Sequence, residues 1–240
     1  MNECEWLHRQ LEELPLFKYP FNLEQLPHNG IYFFYENGEI WGHGGNHPRI
    51  VRIGTHKGDN FRSRISSHFL LNEHKMNFDQ MKSAPSDRSI FRTNIGRVLL
   101  YRDNDEYLDI WNIDFTPRIK REKFGHLRDI PKEKRIELEV SRLLRESFSF
   151  RFIIIDSQEK RMGSHGLERS LIGTVARCGQ CGPSENWLGK HSPKPEIVKS
   201  GLWLSQRLDA DEINESEKII IADAIGKTKR WIGGNNEGME

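Results

Sequence analysis

GIYFFYENGEIWGHGGNHPRIVRIG, residues 30–54, holds two strand signals and the turns between them. GIYFFYE, 30–36, has the aromatic and β-branched content of a pleated, half-buried strand. Asn37-Gly38 predicts a hairpin into Glu39, Ile40 and Trp41, because this dipeptide tolerates the positive φ such turns need. GHGGNHP, 42–48, predicts a flexible loop, and its glycines follow no phosphate-loop spacing. IVRIGTH, 50–56, is the second strand, with Arg52 at its centre. Alternation turns Tyr32 away from Ile31 and Phe33, and Arg52 away from Val51 and Ile53. If the strands pair, both polar groups project to one site. A guanidinium in mid-strand needs a partner, and Arg52 is expected to lie near the Tyr32 hydroxyl, within reach of a bound phosphate.

Outward from this stretch, residues 3–14 read as a short amphipathic helix ended by Pro15. GDNFRSRISSHFL, 58–70, runs from a loop into a helix on which Arg64 and His68, four apart, share a face. Residues 72–88 are polar and irregular; 89–100 return to helical spacing; 103–114 are acidic and read as a surface excursion. Pro131 opens a helix with Ile136, Val140, Leu143 and Leu144 on one stripe. RFIIIDS, 151–157, reads as a strand, and HGLERSLIGTVARC as a helix with Leu167, Leu171, Ile172 and Val175 inward. A last helix is expected over about 211–228. There is no internal repeat, so one continuous domain is expected over residues 1–240.

The chain has 240 residues, enough to bury a substantial core. It contains no apolar run of membrane-spanning length, so no membrane association is expected. Three cysteines argue against a disulfide framework and for a reducing, cytoplasmic setting. Net charge is only +1, but it is unevenly spread. Residues 49–102 carry eleven Lys and Arg against four Asp and Glu, and 117–151 carry eleven against six. Two basic blocks in a near-neutral chain suit a protein with one face toward a polyanion.

The order of elements resembles the GIY-YIG nuclease family. Gly30-Ile31-Tyr32 matches the first motif as the family writes it. Ile53-Gly54 keeps the end of the second, with Arg52 in place of its usual tyrosine. Arg64 and His68 fit the helical arginine and its frequent partner, Glu168 the metal-binding glutamate, and Asn186 the late asparagine. The resemblance implies an α+β fold: a small, mainly antiparallel sheet of three to four strands flanked by helices. Its core would span about 29–70 and 150–190, with an insertion over about 72–130. It also implies hydrolysis of DNA phosphodiester bonds. Tyr32 would activate water, Arg64 would stabilise the phosphate, and Glu168 would hold one Mg²⁺ or Mn²⁺. A single well-placed carboxylate fits one hard cation that keeps its waters. Tyr32 needs nearby positive charge to ionise near neutral pH; Arg52 is placed to supply it, and His68 or His56 to relay the proton.

Cys178-Gly-Gln-Cys181 offers two thiols, with His191 nearby and Cys4 far off in sequence. Structural zinc sites usually show two paired knuckles, so a loop with two reduced thiols is expected rather than zinc. The rival to a nuclease is a nucleic-acid-binding protein that keeps the fold without cleavage, a reading that Arg52 sustains. A small-molecule enzyme of unrelated fold would make the motif order accidental. Nothing in the sequence specifies the oligomeric state.

Overall fold

The computed structural model describes residues 1–70, 73 and 78–237. The aromatic stretch forms its central strand. In chain order the strands are β1 (Phe17–Lys18), β2 (Ile31–Ile40), β3 (Pro48–Gly54) and β4 (Phe148–Ile153), and the sheet order is β1-β4-β2-β3. Every pairing is antiparallel. Among the described residues, ten α-helices surround the sheet. They are α1 (Glu3–Glu12), α2 (Phe61–Phe69), α3 (Ile90–Arg102), α4 (Leu108–Trp111), α5 (Arg118–Phe124), α6 (Ile130–Ser147), α7 (Gln158–Arg161), α8 (Leu167–Ala176), α9 (Pro195–Ser200) and α10 (Glu215–Glu237). This is the expected α+β class, with its small antiparallel sheet between helices.

The layering follows from β2 being apolar on both faces. Ile31, Phe33 and Tyr35 point to one side, where α1, α8 and α10 cover them. Tyr32 and Phe34 point to the other, where α2, α3 and α6 supply Phe61, Phe69, Phe91, Val140 and Leu144. A strand with two apolar faces is stable only when both are sealed from water.

Several local expectations are corrected. No hairpin turn forms at Asn37-Gly38; β2 runs on to Ile40, opposite Pro48. The chain reverses over residues 41–47 instead, closed by the Trp41 amide donating to the His47 carbonyl at 3.0 Å. Gly38 does adopt positive φ, +86°, but within a region where pairing to β3 is irregular. The strand is drawn onward because Glu39 is buried and accepts hydrogen bonds from Arg49 and Ser184 at 2.5 Å each. A second irregularity changes a facing. Phe34 pairs with Arg52 and Tyr35 with Ile50, so Val51 is the extra residue of a bulge and joins the Tyr32 side of the core.

The strand expected over 151–157 lies earlier, with Phe148, Phe150 and Phe152 alternating onto the Tyr32 face. The Ile154 amide then leaves the ladder and donates to the Thr228 hydroxyl, 2.9 Å. The final helix starts later and runs further than 211–228. The acidic stretch 103–114 is no mere surface excursion: Trp111 is buried, and its indole donates to the Thr93 carbonyl at 3.0 Å. A Cβ on Gly96 of α3 would lie 2.3 Å from that indole, so glycine is what allows the docking. Within the expected insertion, residues 72 and 74–77 lie outside the described residues, and α3 contributes Phe91, Ile95 and Val98 to the main core.

Five arginines of the basic blocks turn inward, while most of the remaining Lys and Arg stay at least partly exposed. Arg49, Arg52, Arg92, Arg128 and Arg151 are all 9% exposed or less. Arg49 pairs with Glu39, Arg92 with Glu137 at 2.6 Å, and Arg128 with Glu133 at 2.5 Å. These five arginines serve the interior, and the other basic residues of the two blocks are the ones left to face solvent. No helix among the described residues is long and apolar enough to cross a membrane.

Arg92 and Glu137 are both fully buried, and Arg92 also donates to the His68 and Glu137 carbonyls and the Ser141 hydroxyl. This pair ties α2, α3 and α6 together. Removing one member leaves a buried charge without its partner, so Glu137→Ala is expected to cost about 3–5 kcal/mol in urea unfolding. Replacing both members by apolar residues of similar volume should recover most of that loss.

Candidate active site

Two glycines set the geometry. Gly30 lies at the entrance to β2, where an added Cβ would meet the Ile153 carbonyl oxygen at 2.6 Å. Its amide donates to His56 Nε2 at 3.2 Å, and its carbonyl accepts from the Thr55 hydroxyl at 2.9 Å. Gly54 lies opposite Tyr32 in the ladder, and a Cβ there would be 2.4 Å from the Tyr32 hydroxyl oxygen. The phenol thus passes directly over Gly54. Any larger residue would displace it.

From that position Tyr32 Oη meets His68 Nε2 on α2 at 3.0 Å. His68 Nδ1 meets Ser89 Oγ at 2.8 Å, and Ser89 in turn caps α3 by accepting from the Arg92 amide. The chain Tyr32–His68–Ser89 is buried throughout. Three guanidinium groups surround it. Arg52 reaches across from β3 and favours the Tyr32 phenolate through charge and hydrogen bonding. It stacks over Phe91, 4.8 Å to the ring centroid, and donates through Nη1 to the Trp203 carbonyl, while its buried Nε has no acceptor. Arg64, half-buried on α2, donates Nη1 to the Arg88 carbonyl at 3.0 Å. Arg92 closes the third side.

The electrostatics correct one expectation. Arg52 and Arg64 do favour a Tyr32 phenolate, but burial outweighs them and raises its pKa above the ordinary value. His68 is held well below its ordinary pKa by burial first and then by Arg52, Arg64 and Arg92. Both groups therefore rest neutral near pH 7. His56 is pushed down to about 4 by burial and by Arg161. Its tie to Gly30 makes it a brace for the motif.

Glu168 enters from the first turn of α8. One carboxylate oxygen accepts from the Thr55 amide at 3.1 Å, and the other is held by Arg207 Nη1. Its negative charge acts on both Tyr32 and Arg52, so it belongs to the same electrostatic field. Arg207 itself adopts positive φ, +63°. Sequence reasoning missed it because 39 residues separate it from Glu168 and no spacing links them. Among the described residues, no second or third acidic group gathers at Glu168 into a metal-binding set. A lone carboxylate that already attracts a cation fits a single hard ion held mainly by water and substrate oxygens. Asn186 stands apart. It is exposed beside the buried Trp187 and shares no hydrogen bond with Tyr32, Arg52, Arg64, His68 or Glu168.

A family model described as a GIY-YIG domain matches residues 5–230. No curated protein and no solved structure matches the chain.

The depressed His68 pKa has a definite sign in stability. Below about pH 6.5 the unfolded chain protonates this histidine while the folded chain does not. Its contribution is therefore present above pH 6.5 and lost on acidification, by up to about 1.4 kcal/mol per pH unit. Ring ¹⁵N shifts of His68 should remain those of a neutral imidazole at pH 5.5. His68→Gln should lose correspondingly less stability than the parent between pH 6.5 and 5.5.

Proposed function

The chain belongs to the GIY-YIG family, a family of nucleases, and on that footing we propose that it is a divalent-metal-dependent endonuclease acting on DNA. The observation that carries this reading is convergence. Tyr32 from β2, Arg52 from β3, Arg64 and His68 from α2, and Glu168 from α8 act on one another within a single field. Phosphodiester hydrolysis needs an oriented water, donors for the charge that grows on the phosphoryl oxygens, and help for the leaving oxyanion.

Arg64 uses one nitrogen on a backbone carbonyl and keeps the rest of its fork for a phosphate, which guanidinium geometry suits. Tyr32, neutral at rest, orients the attacking water through its hydroxyl and passes a proton toward His68. Burial and the nearby arginines suppress an imidazolium at His68, and an arriving phosphate would partly neutralise Arg64, which is only half-buried. Proton affinity at His68 then rises when substrate is present. Glu168 would hold Mg²⁺ or Mn²⁺, which supplies charge neutralisation and a more acidic water. Arg207 competes for the same oxygen and must give way.

A second reading rests on three specific observations: Arg52 replaces the usual tyrosine, Arg207 pairs with Glu168, and Tyr32 is only 2% exposed. These favour a protein that binds nucleic acid without cutting it.

Incubation of supercoiled plasmid with the full chain and Mg²⁺ or Mn²⁺ separates the two. Cleavage is expected, with Glu168→Ala and Arg64→Ala each reducing it about 100-fold or more. Arg207→Ala should lower the Mg²⁺ concentration giving half-maximal cleavage. Plasmid binding with no cleavage under either metal would replace the nuclease reading by the binding one.

A further inference from the structure

On the opposite face of the sheet, three thiols and an imidazole come together from three remote parts of the chain. Cys4 stands in the first turn of α1, His43 in the 41–47 loop, and Cys178 and Cys181 just beyond α8. One ligand atom from each lies within 4.8 Å of all the others. Cys4 Sγ and Cys181 Sγ are 4.0 Å apart, and Cys178 Sγ and His43 Nε2 are 3.3 Å apart. Tetrahedral zinc with Zn–S of about 2.3 Å and Zn–N of about 2.0 Å sets ligand edges of about 3.8 Å between sulfurs and about 3.5 Å between sulfur and nitrogen. Each of these two separations lies within about 0.2 Å of the corresponding edge. All three cysteines are free, and a sulfur–sulfur separation of 4.0 Å is far outside disulfide geometry.

The surroundings are built to match. The Gly42 amide donates to Cys181 Sγ at 3.4 Å, and the amides of Gln180 and Cys181 serve Cys178. An added Cβ on Gly42 would sit 1.8 Å from the Gln180 carbonyl oxygen, so glycine lets the two ligand loops press together. His43 is packed edge-on against Trp41, ring centroids 5.2 Å apart. His8, the other nearby imidazole, has both nitrogens committed: Nδ1 to the Cys4 carbonyl at 2.9 Å, and Nε2 to the Ile50 amide at 3.1 Å. It therefore positions Cys4 and is no ligand itself.

We propose that Cys4, His43, Cys178 and Cys181 form a structural zinc site. Four protein ligands close the tetrahedron and leave no open position for substrate, which separates this site from any catalytic metal. The ion would pin α1, the β2–β3 loop and the end of α8 to one another. Those last two elements carry Tyr32, Arg52 and Glu168 at their other ends, so the zinc fixes the frame of the active site without entering it. His191, the histidine that proximity in sequence suggests, is exposed and outside the cluster. The expectation of two idle thiols came from a single visible knuckle, whose other two ligands lie more than 130 residues upstream.

The proposal is independent of cleavage and is tested without it. Full-length protein purified under reducing conditions without chelator is expected to contain one zinc per chain by elemental analysis. Apo protein titrated with Co²⁺ should show the intense visible bands of tetrahedral thiolate coordination. His43→Ala and Cys181→Ser should lose the metal, while His191→Ala retains it. Should the cysteine variant fail to fold, His43→Ala together with the Co²⁺ spectrum of the parent still decides the question. Absence of zinc combined with absence of tetrahedral Co²⁺ bands in folded parent protein would overturn the assignment, as would full zinc content in a folded His43→Ala variant.

Discussion

A phenol lying over a glycine of the neighbouring strand is the contact on which the rest of the site depends. Tyr32 can occupy that place only because Gly54 has no side chain. The contact explains why the two motifs must be read as one unit: the tyrosine of the first needs the glycine of the second. It also fixes the register, since Tyr32 opposite Gly54 puts Phe34 opposite Arg52. That register turns the guanidinium inward to the phenol, where a one-residue slip would have sent it to the other face. The same placement brings the hydroxyl to His68, so a steric allowance at one residue sets a chain of three hydrogen-bonding groups.

The legible part of this architecture was periodic and local. The aromatic strand, the strand ending in Ile53-Gly54, the helix bearing Arg64 and His68, and the helix that Pro131 opens each announce themselves within a short window. What escaped is non-local. Asn37-Gly38 has turn chemistry, yet a buried Glu39–Arg49 pair overrides it and extends the strand. The face of Val51 depends on a bulge whose cause is the pairing of Phe34 and Tyr35, invisible along one strand. Arg207 reaches Glu168, and Cys4 and His43 reach the CxxC, only through tertiary folding. Charge is legible only as a sum: counting arginines cannot tell the five that are buried from those that face water.

That interior use of arginine shapes the electrostatics of the site. Arg52 and Arg92 reach the Tyr32–His68 pair from different elements, and each is nearly or wholly shielded from solvent. Shielded charges interact more strongly than exposed ones and are screened less by salt. Arg92 is offset by Glu137, so Arg52, which has no carboxylate hydrogen-bonded to it among the described residues, stands beside two titratable groups that burial keeps neutral. The covering segment at Trp203 belongs to the same arrangement. Its amide donates to Val51 and its carbonyl accepts from Arg52, so the outer edge of β3 and the guanidinium are sealed by one residue.

The sheet order has a consequence for how this chain can be made. β4 lies between β1 and β2, although more than 100 residues separate it from either. During synthesis, β2 emerges with Tyr32, Phe33, Phe34 and Tyr35 and can pair with β3 within a few residues. Its other edge must wait until residue 153 has left the ribosome. At a translation rate of roughly 5–20 residues per second, that interval lasts on the order of ten seconds. An unpaired apolar strand edge is a template for association with other chains. The nascent protein thus passes through a stage in which its aromatic central strand is half-finished, and its yield on expression depends on how that edge is shielded until the last strand arrives.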